Sequence, residues 1–273
     1  MADTARMLGI DFMGWQRLAA DRGMEHDAGH LAYREIDLSI DRQAGKSSLF
    51  LAVIVHRMLW RPGSWLTYTS ASRLAARRKL LKVWWPIIRR SKLRDMFRVT
   101  RGTGSESLEC VNDSTLYLLS GDEASGHGDT LDASFLDEGW SLTEAAEQAV
   151  RPAQATRPDA QLWVASTAGT ARSTYWRSKV DAGRLSAGLG VTDSGLCFVE
   201  WAAAAGVDVT DPGTWPGYMP ALGRTIDPAT VAADLATMPL REWRRAFCNM
   251  WDDEADDGGW QVIPRDVWQA SRL

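Results

Sequence analysis

The chain has 273 residues, of which 45% are apolar and 24% charged, with a formal net charge of −4. That length can bury a substantial core as one large domain, or as one domain with a small appendage, and the composition is that of a soluble globular protein. The slight acidity excludes a globally basic nucleic-acid binder; no apolar run suits a membrane span, no signal peptide opens the chain, and three scattered cysteines suit a reducing cytoplasm rather than a zinc site.

In chain order, an alternating apolar run predicts a strand over 33–40. Asp41-Arg42-Gln43-Ala44-Gly45-Lys46-Ser47 follows as a tight turn, and the segment from Ser48 continues as a buried helix. Strand, loop and helix in that order are what a phosphate-binding P-loop requires, because loop N–H groups and a helix N-terminus favour an anion. Lys46 would reach the β- and γ-phosphates of a nucleoside triphosphate, and the Ser47 hydroxyl would ligate Mg²⁺. The usual pattern places a glycine five residues before Gly45, where this chain has Ile40. An ordinary strand-to-helix turn with a capping serine is the plain alternative.

A second strand is predicted over 65–70 and a helix over 73–85. From 73 to 101 the chain is dense in Arg and Lys, with Asp95 the only acid and Trp84-Trp85 in the middle. Such a stretch forms either a phosphate-contacting face or a solvated helix packing its tryptophans inward. Strands over 107–111 and 114–119 read as a hairpin across Asn112-Asp113. A strand over 133–137 ends in Asp137-Glu138, the place for an acid holding the Mg²⁺ shell (Asp137) and one polarising the attacking water (Glu138). The interval from Lys46 has room for two β-α units. Asp122-Glu123 also follows an apolar run, but Ser120-Gly121 separates it from the strand.

A helix is expected over 143–150, then a strand over 162–166 whose end, Ser166-Thr167-Ala168, could place a hydroxyl near the γ-phosphate and pass its presence onward. A last strand is predicted over 196–201. Beyond residue 205 a Pro- and Gly-rich loop leads to two helices, one capped by Asp227 ahead of Pro228 and one over 240–251 with Trp243, Phe247 and Trp251 on one face. The acidic run 252–257 reads as a linker. The fold class is therefore α/β: a P-loop NTPase with a mainly parallel sheet between helices as the core (1–205), plus a helical lid (206–262).

Four motifs in order resemble the ATPase domain of a tailed-bacteriophage terminase large subunit. Arg42 to Ser47 is similar to that family's deviant Walker A motif, Trp15-Gln16 to its adenine-reading element, Phe135 to Glu138 to its Walker B with the catalytic glutamate, and Ser166-Thr167-Ala168 to its coupling motif. The resemblance implies an ATP site at Trp15, Gln16, Arg42, Gln43, Ala44, Gly45, Lys46, Ser47 and Ser48, with Arg42 on the γ-phosphate and Mg²⁺ at Ser47 and Asp137. It implies ATP hydrolysis that drives double-stranded DNA into a procapsid. Its partners would be the portal protein and the small terminase subunit, in a ring of copies on the portal that is monomeric in isolation, in the host cytoplasm and away from membranes. Residues 263–273 would begin a linker to a nuclease domain for which this chain is too short. The family's arginine before Walker B is missing from Ser125-Gly126-His127-Gly128-Asp129, leaving Arg101 or the basic stretch as candidate fingers. A helicase-like nucleic-acid-remodelling ATPase and a nucleotide-gated assembly module are the other readings.

Overall fold

A computed structural model describes residues 1–120, 130–191 and 194–251. Asp122-Glu123, the loop 125–129, the run 252–257 and the segment 263–273 lie outside the described residues.

An eight-stranded sheet is the frame. Its strands are β1 (Glu35–Ser39), β2 (Trp65–Thr69), β3 (Phe97–Thr100), β4 (Ser107–Cys110), β5 (Thr115–Leu118), β6 (Ala133–Asp137), β7 (Gln161–Ser166) and β8 (Leu196–Glu200). Their order across the sheet is β8-β1-β7-β6-β2-β5-β4-β3. The pairings from β8 to β5 are parallel, and the two that add β4 and β3 are antiparallel. Every residue of β6 and β7 is buried, as expected of parallel strands covered on both faces.

Helices cover those faces. On one side lie α1 (Ala2–Leu8), α2 (Gly14–Gly23) and α3 (Lys46–Trp60); Leu49 to Val55 of α3 are wholly buried, so that stretch is apolar all round. Beside them runs one continuous helical rod: α4 (Arg73–Arg78), a π-helical turn (Lys79–Trp84) and α5 (Trp85–Arg90). The other side holds α6 (Glu144–Val150) and α7 (Thr174–Gly188), which pack with Leu136, Leu162 and Val164 of the sheet. The helical piece near the end comprises α8 (Pro228–Thr237) and α9 (Leu240–Phe247). Its Trp243, and Trp215 of the preceding turn Pro212–Gly217, join the same core as β1 and α3.

Two expectations change in detail. One β-α unit and an antiparallel meander, β3-β4-β5, fill the interval between Lys46 and Asp137, rather than two β-α units. The helix expected over 240–251 ends at Phe247, so Trp251 leaves its face and lies under Arg177, 5.1 Å from ring centroid to guanidinium. The hairpin turn holds, with Asp113 at φ 68°. No helix among the described residues is long and apolar enough to cross a membrane.

Candidate active site

β1, β7 and β6 are adjacent and parallel, so the loop after β1, Ser166 at the end of β7 and Asp137 at the end of β6 meet at one edge of the sheet. Ligands of open α/β sheets bind at such carboxyl ends. A cavity of about 570 Å³ opens there, lined by Lys46, Ser47, Asp137 and Glu138 among others.

The loop is shaped by two left-handed residues. Gln43 has φ 61° and Gly45 φ 99°. A Cβ at position 45 would also meet Gln16 Nε2 and Met13 Cε at 3.0 Å, so the conformation calls for glycine and the space is tight. Lys46 starts α3 and curls back, donating from Nζ to the Asp41 carbonyl at 2.6 Å and to the Ile40 carbonyl at 3.3 Å. Desolvation lowers its pKa, against the pull of Asp41, Asp137 and Glu138.

Asp137 is 2% exposed. Tyr68 donates its hydroxyl to Asp137 Oδ2 at 2.8 Å, and the Glu138 amide donates to Oδ1 at 3.0 Å. Burial raises the carboxyl's pKa, while Lys79, the Tyr68 hydrogen bond and Lys46 hold it down. Glu138 sits in the left-handed region at φ 62°, a strained conformation for a glutamate, of the kind found at functional sites. Trp140 donates from Nε1 to Glu138 Oε2 at 2.9 Å, and the Arg42 guanidinium lies 5.8 Å from the centroid of the same indole.

The end of β7 is tied into this edge. Ser166 Oγ accepts the Trp140 amide at 2.9 Å, and the Ala168 amide donates to Asn249 Oδ1 at 2.6 Å. Thr167 Oγ1 donates to the Arg245 carbonyl at 3.2 Å. Asn249 Nδ2 in turn donates to Ser39 Oγ and to the Trp201 carbonyl, each at 2.9 Å.

Of the residues singled out in the sequence, Arg42, Gln43, Gly45, Lys46, Ser47, Ser48, Asp137, Glu138, Ser166 and Thr167 line the cavity. Ala44 and Ala168 are buried, and Arg101 is exposed at the end of β3 without lining it. Trp15 and Gln16 are buried behind the loop rather than facing the cavity. Gln16 donates from Nε2 to the Gly45 carbonyl at 2.9 Å and to Ser48 Oγ at 2.8 Å, and its Oε1 accepts the Met13 amide, so one end of its amide braces the loop and the other the start of α2. Trp15 packs edge-on against Trp201 at 5.6 Å.

Five further residues emerge only from the fold: Asp41, Tyr68, Lys79, Trp140 and Asn249. Asp41 is fully buried with no hydrogen bond to either carboxylate oxygen, and burial raises its pKa to about 7 despite Lys46. Lys79 donates from Nζ to Ser47 Oγ at 2.5 Å and stands 4.0 Å from Asp137 Oδ2. One ammonium thus lies near a hydroxyl and a carboxylate oxygen, the donor types that a hard divalent cation takes.

The fold is that of a large-terminase ATPase domain. The HK97 bacteriophage large terminase superposes with TM-score 0.74 at 18% identity over 89% of this chain and 51% of its own. The ATPase domain of the Thermus phage P74-26 large terminase gives 0.63 at 17% identity over 91% and 97%. The large terminase of a thermophilic bacteriophage in complex with ADP gives 0.62 at 12% identity over 88% and 54%. The chain thus spans about half the length of the HK97 protein. No protein-family model and no curated protein matches the sequence.

Proposed function

We propose that this chain is the motor domain of a large terminase, hydrolysing ATP with Mg²⁺ to move double-stranded DNA into a procapsid. The observation that carries the reading is the meeting of Lys46, Ser47, Asp137 and Glu138 around one cavity on that fold. The terminase solved with ADP, of the same fold, supports nucleotide as the occupant.

In this reading the loop from Arg42 to Ser48 wraps the phosphates. Lys46 leaves the Asp41 and Ile40 carbonyls to neutralise the β- and γ-oxygens. Ser47 and Asp137 would hold Mg²⁺, which supplies charge neutralisation between those phosphates. Glu138 orients and deprotonates the water, with Trp140 fixing its carboxylate, and Arg42 contacts the γ-phosphate from over the Trp140 ring. Ser166 and Thr167 lie between the acid strand and α9, where loss of the phosphate alters their contacts. The portal protein, the small terminase subunit and neighbouring copies in a ring, all at the procapsid in the host cytoplasm, are the partners proposed.

Phosphate release measured against protein concentration, with and without duplex DNA, tests this reading. Turnover that rises with self-association and with DNA is expected. No phosphate release under any of these conditions would remove the motor reading and leave a nucleotide-gated assembly module.

A further inference from the structure

The crevice contains a second lysine that the P-loop reading does not use. Lys79 opens the π-helical turn, and Trp84 closes it. Lys79 holds Ser47 through its hydroxyl, and Trp84 holds the same residue through its carbonyl, with the indole N–H donating at 3.0 Å. The Trp84 ring also lies 4.5 Å from that of Tyr68, whose hydroxyl donates to Asp137. Residues five apart in an α-helix point about 140° away from each other. The wider π turn brings Lys79 and Trp84 to one side, and such turns are rare and concentrated at functional sites.

The two oxygens that Lys79 faces, Ser47 Oγ and Asp137 Oδ2, are the two that the proposed function gives to the metal. An ammonium and a divalent ion cannot both occupy that gap, since cations held a few ångströms apart repel strongly. We propose that Lys79 competes with the divalent ion for Ser47 and Asp137, so that metal binding displaces its ammonium and releases one end of the π turn from the P-loop helix. This rests on the Mg²⁺–nucleotide reading of the site. Lys79 is then a positioning residue that acts through Ser47 and Asp137. Its helical rod carries Arg78, Lys82, Arg89 and Arg90 exposed, so the metal site and that basic face share one mechanical element.

Mn²⁺ titrated onto the intact chain and followed by electron paramagnetic resonance tests the competition without recourse to turnover. Lys79→Met and Lys79→Gln should bind Mn²⁺ at least about tenfold more tightly than the wild type, the effect of removing one cation at this range. Lys79→Arg, which restores the charge, should return to the wild-type affinity. Glutamine keeps a donor for Ser47, so it serves if methionine perturbs folding. Asp137→Asn should weaken Mn²⁺ binding in the wild type and in Lys79→Met alike. Equal or weaker binding in both neutral variants, including none detectable in any protein, overturns the competition. If Asp137→Asn weakens wild-type binding while the neutral variants do not change it, only the role of Lys79 falls. Binding indifferent to Asp137→Asn places the ion elsewhere and removes the metal reading together with the proposal.

Discussion

Under α7, Lys179 pairs with Glu35 and, at 2.7 Å, with Glu147; Tyr175 donates its hydroxyl to Glu147 at 2.9 Å, and Arg151 closes on both acids. Burial alone would lower the Lys179 pKa, but Asp37, Glu35 and Glu147 raise it above its ordinary value. At the other end of β1 the arrangement is different. Asp41 has no partner for either carboxylate oxygen, Lys46 turns to backbone carbonyls, and Glu138 and Gln43 hold left-handed backbones. One strand thus runs from a cluster where Glu35, Glu147, Arg151 and Lys179 pair, Asp37 alone keeping an unpartnered oxygen, to a loop where neither Asp41 oxygen has a partner. Paired charges hold a fold in place, whereas unpaired ones are kept where a ligand supplies the missing contact.

The contrast breaks most visibly at Glu138. Glu138→Gln should lower ATP turnover by roughly 10²–10⁴, the usual contribution of a general base, while nucleotide affinity and the melting temperature stay near wild type. Near-normal turnover in the folded variant would remove Glu138 from its role. At the paired cluster the opposite outcome is expected. Lys179→Met leaves Glu35 and Glu147 with Arg151 as their remaining cation and should destabilise by about 2 kcal/mol in urea titrations, with ADP affinity unchanged.

Asp41 sharpens the comparison through pH. Its carboxyl titrates at about 7 in the fold against 3.8 ordinarily, so the folded state binds the proton more tightly than the unfolded chain. Its contribution is fully present below about pH 4, is lost as pH rises towards 7, and is level above that. Asp41→Asn has no proton to lose. Its stability relative to wild type should therefore grow by about 2 kcal/mol between pH 5 and pH 8, read from urea midpoints. A difference that stays constant over that range would mean the carboxyl is not titrating there. The smallest effect belongs to Gln43→Gly, which relieves a left-handed side-chain-bearing residue and should stabilise by up to about 1 kcal/mol. A loss instead would show that the Gln43 side chain holds the loop.

What the sequence made legible was local. β1, the turn and α3 form one continuous segment, and Asp137-Glu138 closes a strand whose apolar run can be read directly. Lys79 reaches Ser47 across 32 positions and Asn249 reaches Ser39 across 210, so neither leaves a trace in any window of the chain. β3 was hidden inside the basic stretch, where Arg98 breaks its apolar pattern. The polar residues and glycines of α2 and α7 blur their helical period. Gln16 shows the limit of motif reading: the residue type marks the right neighbourhood, but which partner takes the amide is settled only by packing against Gly45 and Ser48.

Asn249 is wholly buried at φ 52°, where an asparagine fits more easily than other side chains. Its one amide touches Ser39 at the end of β1, the Ala168 amide just past β7 and the Trp201 carbonyl just past β8, and it follows α9 by two residues. One side chain thereby ties the end of α9 to three strand tips. A tilt of α9 that kept these hydrogen bonds would have to carry all three tips with it.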